Sequence, residues 1–443
     1  MGMSEKIAVV GLACKDEMGF DKAPQIYRDV TDALIAAGAS VADSGITMWN
    51  PETAKEAADY LRGVAFDTLV ICVATWSEDN HLLELLPVAR KAGAKVILHA
   101  FPSVDSGSLC CVHQITSVFT DVSYDNFSFV YGEAGSPGTT GGILKQAAAA
   151  KDGGKDMPCF NIGNIGGHAS GMTEIAFDEF ALYEKCGAVI VGINETELLD
   201  EVDAVAEAAV EAEYEKLIAR GFQVKSSTDA IKESLRYYLA MKVLVERYRL
   251  CGLAVKCYTR YMGKVCLGYS LLSDEGIVCS CEGDVSNTVM MRIMADLTGQ
   301  CINHTDLLHP DIETNTILFA HCGSCGFTIA PNPAEVSLNP VRLMERGVCS
   351  MFIPKTGKVT LADLVGHGDK LRMSVIVGEA VETAMDFPGN PHRVKFDIPV
   401  LDLCERIAKL GCGHHWMIGY GDVSRELQAY CLERGIIFQR VDA

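Results

Sequence analysis

Tryptophan is scarce in this chain, with 3 in 443 residues, and aromatic residues together make up only 7%. Positive charge is in deficit as well: 38 Lys plus Arg face 58 Asp plus Glu, a formal charge of −20. A phosphate backbone requires basic surface, so this balance argues against a general nucleic-acid binder. It leaves room for a small anionic substrate, because local charge can oppose net charge. No run of about 18 uncharged apolar residues occurs, so no membrane-spanning helix is expected. The opening MGMSEKIAVVGLA lacks the architecture of an export signal. Nucleotide fingerprints are missing too. GNIGGHASG (163–171) fits neither GxGxxG nor a phosphate loop, since no Lys-Ser/Thr closes it, and GLACKDEMG near the start fits no better. GNIGGHASG reads as a tight strand-to-helix turn, and no nicotinamide cofactor is expected.

Cysteine, by contrast, is plentiful, at 18 residues. The spacing is irregular, and Cys72, Cys251 and Cys431 sit in apolar runs. Those are positions of small buried hydrophobes rather than of a disulfide framework, which makes the reducing cytosol the expected compartment. Hydrophobic residues at 49% and charged residues at 22% describe a folded globular chain. Its length is that of about two to four domains.

The first 150 residues alternate strand-like and helix-like segments. KIAVVGLA, TLVICVAT and KVILHAF read as buried strands, and APQIYRDVTDALIAAG and HLLELLPVARKAG as helices, the first ending at Gly38. That order predicts a doubly wound parallel sheet, with ligands approaching the carboxyl ends of its strands. KDGGKD (151–156) reads as a linker. A second α/β domain is expected over 151–265, with GAVIVGIN as a strand. LLDEVDAVAEAAVEAEYEKLIARG, closed by Gly221, and AIKESLRYYLAMKVLVERYRLCG are its long helices. After about residue 265 short elements alternate with frequent Cys and His, and a third, α+β domain is expected over 266–443.

The chemistry concentrates in this last part. GIVCSCEGDVSNTVMMRIMADLTG reads as a strand from Ile277 to Cys281, the carboxylates Glu282 and Asp284, then a helix capped by Asp284 or Ser286. Val285, Val289, Ile293 and Leu297 are its expected buried stripe. A Glu directly after a buried strand points to a ligand. Asp306 follows 24 residues later. NTILFAHCG is a strand ending in His321, and in GCGHHWMIGYGD a helix closes at Gly411 before His414 and His415 enter a strand. Alternation lets only one of those two histidines face a given site. Two carboxylates with imidazoles suit Mn²⁺, Mg²⁺, Co²⁺ or Fe²⁺ better than a structural zinc. The rival is Cys322-Gly-Ser-Cys325, as a zinc or redox motif, or as thiols packed behind the site. Lys264 and Arg260 read as solvated surface, and His304, His309 and His168 stay outside the expected site.

These residues resemble a known family. CEGDVSNTVMMRIM is similar to the segment carrying the first metal-binding Glu of L-arabinose and L-fucose isomerases. The stretch from Glu282 to Asp306 resembles the fucose isomerase arrangement. GCGHHWMIGYGD resembles the arabinose isomerase segment whose second His is a ligand, here His415, and FAHCG the strand giving the other His, here His321. The likeness is good over about 265–430 and looser over 1–260. It combines Asp306, as in fucose isomerases, with His321, as in arabinose isomerases, and this leaves the sugar open.

The resemblance implies a C-terminal domain with a β-barrel-like core and a ketol isomerase working through a cis-enediol. It implies a divalent metal, foremost Mn²⁺, held by Glu282, Asp306, His415 and His321. Glu282 and Asp306 would serve as base and acid, and Asp284 is a candidate acceptor behind an imidazole ligand. Trp76, Gln114 with its neighbour His113, and His414 would meet sugar hydroxyls. A cytoplasmic homo-oligomer, trimer or hexamer, with its site at a subunit interface is implied, with neither nucleic acid nor membrane as partner. A sugar epimerase or lyase, or a non-catalytic sugar-binding protein, would use the same scaffold.

Overall fold

The computed structural model describes residues 6–103, 105–148 and 159–443, so the expected linker at 151–156 lies outside the described residues. The chain divides into two compact units, Met1–Cys159 and Phe160–Ala443. Among the described residues no helix is long and apolar enough to cross a membrane.

The first unit runs β1 (Lys6–Leu12), α1 (Ala23–Ala36), β2 (Ser40–Met48), α2 (Pro51–Arg62), β3 (Thr68–Val73), α3 (Asn80–Leu83), α4 (Leu86–Ala92), β4 (Lys95–Ala100), α5 (Ser108–Asp121), β5 (Phe127–Tyr131) and α6 (Pro137–Ala147). Its five strands pair in the order β2-β1-β3-β4-β5, all parallel. This is the expected doubly wound sheet, and β3, buried at every position, is one of its inner strands. The segment HLLELLPVARKAG differs from expectation. It forms two short helices, because Pro87 lacks an N–H and sits in the first turn of α4, where none is needed.

The second unit begins with β6 (Phe160–Ile165), α7 (Glu179–Cys186), β7 (Ala188–Ile193), α8 (Glu195–Ala204), α9 (Glu207–Ala219), β8 (Gln223–Val224), α10 (Thr228–Arg247), β9 (Leu250–Val255), α11 (Cys266–Asp274), β10 (Val278–Ser280) and α12 (Val285–Thr298). The expected single acidic helix is split at Val205 and Ala206, both extended. The break lets Leu198 and Val202 on one side and Val210 and Leu217 on the other reach the same core cluster. A parallel sheet forms in the order β10-β9-β6-β7, so a strand beyond residue 265 completes it.

The chain then continues through β11 (Asn303–Asp311), β12 (Thr316–Ala320), β13 (Ser337–Val341), β14 (Arg346–Met351), β15 (Gly357–Val365), β16 (Arg372–Val381), β17 (His392–Lys395), α13 (Val400–Leu410), β18 (His415–Tyr420), α14 (Ser424–Arg434) and β19 (Ile437–Arg440). Seven strands pair in the order β15-β18-β11-β12-β17-β16-β19, and β15 also pairs with β16. The strands from β15 to β16 are thereby linked into a ring of antiparallel pairs. A separate three-stranded sheet runs β14-β13-β8. Alternate residues of the ring belong to different cores, as the pleat requires. Phe319, Leu361, Ile376, Val394 and Trp416 fall in one cluster. Ala362, Leu364, Met373, Val375 and Met417 fall in another, which includes Val285, Val289 and Met290 of α12.

The stripe expected on α12 holds for Val285, Val289 and Ile293, but Leu297 is 40% exposed. Residues four apart advance about 40° beyond a full turn at 3.6 residues per turn, so three such steps carry Leu297 off the buried face. Met290 and Met294 take up the space instead. Leu361 is fully buried at the centre of the strand joining β16 to β18. Leu361→Ala should therefore cost about 2–5 kcal/mol, read as a lowered midpoint of urea unfolding.

Candidate metal centre

Glu282 lies in the turn between β10 and α12, where the carboxyl end of the parallel sheet meets the antiparallel ring. Its φ is +65°, the left-handed region that costs a side-chain-bearing residue about 1–2 kcal/mol. Three contacts impose it. The Glu282 N–H donates to Cys257 Sγ (3.2 Å). The Glu282 carbonyl accepts from the Ala169 N–H (2.7 Å). Gly283 follows at φ +75°, where a Cβ would stand 2.0 Å from the Gly167 carbonyl oxygen. The glycine-rich segment 163–171 is thus a turn, as expected, and it clamps the carboxylate turn.

The ring supplies the other groups. Asp306 on β11 is directly opposite His415 on β18 and also opposite Ala320 on β12, so His321, one residue later, lies at the same end. The carboxylates of Glu282 and Asp306 both face both imidazoles. His415 Nε2 is 3.3 Å from Glu282 Oε2 and 3.7 Å from Asp306 Oδ1. His321 Nε2 is 3.9 Å from Glu282 Oε1 and 3.8 Å from Asp306 Oδ2. The four residues proposed from sequence as ligands are brought together.

A second layer fixes them. Asp284 caps α12 by accepting from the Asn287 N–H (3.0 Å), and its other oxygen accepts from His415 Nδ1 (2.7 Å) and Asn287 Nδ2 (2.8 Å). Both Asp284 and His415 are buried, so this is the acceptor anticipated behind an imidazole. A carboxylate can only accept, so Nδ1 carries a proton and Nε2 is the nitrogen turned to the cluster. Asn287 also donates to Asp363, which accepts from the Gly413 N–H (2.7 Å) and so pins the chain entering β18.

Glu282 Oε2, Asp306 Oδ1 and His415 Nε2 are buried and have no hydrogen-bond partner among the described residues. A cation taking the place of the proton on His415 Nε2 would satisfy all three, and the oxygen–nitrogen set suits a hard or borderline divalent ion. Burial would raise the Glu282 carboxyl, but the imidazoles of His415 and His321 outweigh it and hold the group below its ordinary value. Burial would lower the imidazoles. In the metal-free protein Asp284, Glu282 and Asp306 instead lift His415 to about 10, and the adjacent Cys322 and the Asp306 carboxylate lift His321 to about 9.

The remaining residues fall as follows. His414 was expected to meet sugar hydroxyls, although strand alternation would let only one of His414 and His415 face a given site. His414 precedes the strand, so alternation does not bind it. Its ring lies 3.8 Å from that of His415, and a nitrogen of each lies within 4.8 Å of a Glu282 oxygen. His414 Nδ1 is hydrogen-bonded to Glu174, which the sequence did not reveal. His304 was also missed: it is 2% exposed and its ring centroid is 4.2 Å from that of His415 and 4.8 Å from that of His321. The signal was available, since residue 304 shares a strand face with Asp306. In the first unit Trp76 Nε1 donates to Gln114 Oε1 (2.8 Å), and Gln114 Nε2 to Asp79. Gln114 and His113 are inside α5, and His113 is exposed. Arg260 and Lys264 pair with Glu195 and Glu233. Cys322 packs with Met262, Cys266 and Cys349, away from the cluster that holds Cys325.

No family model matches the chain. Among curated proteins, a sulfoquinovose isomerase of Priestia aryabhattai is 23% identical over 383 residues, covering 83% of this chain and 84% of that protein. The sulfoquinovose isomerase of Alkalicoccus urumqiensis is 25% identical over 282 residues, covering 62% of this chain and 63% of that protein. An L-arabinose isomerase of Herpetosiphon aurantiacus is 22% identical over 293 residues, 61% of this chain and 58% of that protein. The chain is an enzyme of the sugar-isomerase class. Its similarity to these proteins supports a likeness to the arabinose/fucose-isomerase-like superfamily.

The raised imidazole values set a pH dependence. In an unfolded chain His titrates near about 6.5. The stability gained from the folded cluster is fully present below that value and is lost as pH rises through about 9 to about 10. Metal-stripped protein should accordingly show a urea midpoint that falls over this window. A midpoint that climbs between pH 7 and pH 9 would contradict the assigned contacts.

Proposed function

We propose that this chain is a metal-dependent aldose–ketose isomerase of a free sugar or sugar derivative, working through a cis-enediol. The observation that carries this reading is the convergence of Glu282, Asp306 and His415, each with a buried side-chain atom that has no hydrogen-bond partner among the described residues. These three, with His321, would hold a divalent cation, Mn²⁺ foremost and Co²⁺ or Mg²⁺ next. When bound, that cation supplies Lewis-acid stabilisation of negative charge on two neighbouring sugar oxygens.

The chain's own residues would do the rest. Isomerisation moves one proton between C1 and C2 and another between O1 and O2. Glu282 is held below its ordinary value, so it is ionised at neutral pH and fit to accept a proton. Asp306 would serve the opposite partner, and the two exchange roles with the direction of reaction. His414, half-exposed beside His415 and steadied by Glu174, would orient a hydroxyl. Trp76 and Gln114 are proposed as further hydroxyl contacts. The proposed setting is a cytoplasmic homo-oligomer, trimer or hexamer. Sulfoquinovose, the sugar in the relatives' name, is the first substrate to try, because those relatives match the longer part of the chain.

The test follows deuterium by proton NMR. Stripped protein reloaded with Mn²⁺ is incubated in D₂O with sulfoquinovose and a panel of aldoses and ketoses. Deuterium should enter at the carbon beside the carbonyl only when the metal is present. The rate should fall about 10³-fold in Glu282→Gln with the unfolding midpoint kept. Exchange without metal, or undiminished exchange in that variant, overturns the reading. The contact behind His415 gives a second expectation. Asp284→Asn keeps an oxygen to cap α12 but can offer His415 an amide N–H, and should weaken Mn²⁺ binding about 10–100-fold by calorimetric titration. Unchanged affinity would remove Asp284 from the site.

A further inference from the structure

His304 sits inside the cluster, yet the contacts behind it are opposite in sign to those behind His415. The Cys281 peptide N–H donates to His304 Nδ1 (3.2 Å). A peptide N–H can only donate, so Nδ1 must present its lone pair. A neutral imidazole has one N–H, and here it falls on Nε2. A doubly protonated ring would set two hydrogens against each other at Cys281. His304 Nε2 is buried and has no hydrogen-bond partner among the described residues.

The neighbouring ring is set the other way. Asp284 accepts from His415 Nδ1, which leaves Nε2 as the nitrogen that can exchange its proton for a cation. The two rings lie 4.2 Å apart with edge-to-face geometry. A nitrogen each from His304, His321 and His415 falls within 4.8 Å of the others, the spacing at which all three could be mistaken for ligands. The backbone contact excludes His304 from that role, because a neutral ring whose Nδ1 lone pair is engaged has only N–H to offer at Nε2. The unpaired atoms therefore sort into two kinds. Glu282 Oε2, Asp306 Oδ1 and His415 Nε2 call for a cation, and His304 Nε2 calls for an anionic or carbonyl oxygen.

We propose that His304 is a catalytic hydrogen-bond donor and not a metal ligand: its Nε2–H meets the sugar oxygen that gains negative charge as the adjacent carbon loses its proton. This rests on the isomerase reading above. No proton leaves His304 in the step. The carbon-bound proton goes to a carboxylate, the electron pair moves onto the carbonyl oxygen, and the fixed N–H stabilises the charge that arrives there.

Four proteins test this: wild type, His304→Leu, His304→Gln, whose amide N–H can reach the place of Nε2, and His415→Leu, the reference for a lost ligand. Mn²⁺ affinity should change less than about threefold in His304→Leu while His415→Leu loses more than about 30-fold. The rate of sugar exchange, as kcat, should fall about 10²-fold in His304→Leu with KM little changed, and His304→Gln should recover at least about tenfold of that loss. Loss of Mn²⁺ comparable to His415→Leu makes His304 a ligand and overturns the proposal. So does an unchanged kcat, or an effect confined to KM. If His304→Leu fails to fold, ¹⁵N-imidazole spectra of Mg²⁺-loaded wild type decide, with His304→Gln giving the assignment. Protonated Nε2 and bare Nδ1 are expected, and the reverse overturns the donor role. A wild type that exchanges no sugar sinks the isomerase reading and the proposed substrate contact with it. A wild type that exchanges while His304→Leu matches it sinks this proposal alone.

Discussion

The bond from His415 Nδ1 to Asp284 Oδ2 joins the two halves of the second unit at one buried point. Asp284 caps the helix that follows the parallel sheet, and His415 opens a strand of the antiparallel ring. The cap, the imidazole tautomer and the approach of Glu282 to Asp306 all depend on that contact. Replacing either partner would leave a buried charge or a buried N–H without its mate, at a cost of about 1–3 kcal/mol or more. Asn287 and Asp363 extend the same network to Gly413, so the register of β18 against β11 and the position of the helix are set together.

Around this point the protein maintains an arrangement unfavourable to itself. Glu282 takes a left-handed backbone conformation, and atoms of Glu282, Asp306 and His415 are buried without a hydrogen-bond partner among the described residues. Such features persist only where the surroundings over-determine them. Here Cys257, Ala169 and the carbonyl of Gly167 surround the turn from three segments distant in sequence. The glycine-rich turn at 163–171, which resembles a nucleotide loop only superficially, serves to hold a carboxylate in place.

Much of this could be read before the structure. Glu282 after a buried strand, Asp306 beyond the next helix, His321 at a strand end and His415 at a strand start are local placements, and local patterning reports them well. Most misreadings share one cause. Leu297, the continuous helix across Val205 and the opposed faces of His414 and His415 each extended a periodic rule past the point where packing or an element boundary interrupts it, whereas His304 was set aside as a turn or surface histidine. His304 illustrates the limit: its strand face was legible, but its burial between two imidazoles depends on strands more than a hundred residues apart meeting in register.

Sequence by itself determined the alternation of strand and helix in the first unit, the strands and helix that flank Glu282, and the placement of the carboxylates and imidazoles at element ends. Those follow from side-chain periodicity, glycine and proline stops and the chemistry of the residue types, all properties of short segments. Tertiary structure alone decided which nitrogens of His304 and His415 are turned to Cys281 and Asp284, which site atoms remain unpaired among the described residues, and that Glu282 is held at positive φ. Each of these is set by a partner brought from a distant segment when the antiparallel ring meets the parallel sheet. Hydrogen bonds of that kind have no signature in local sequence.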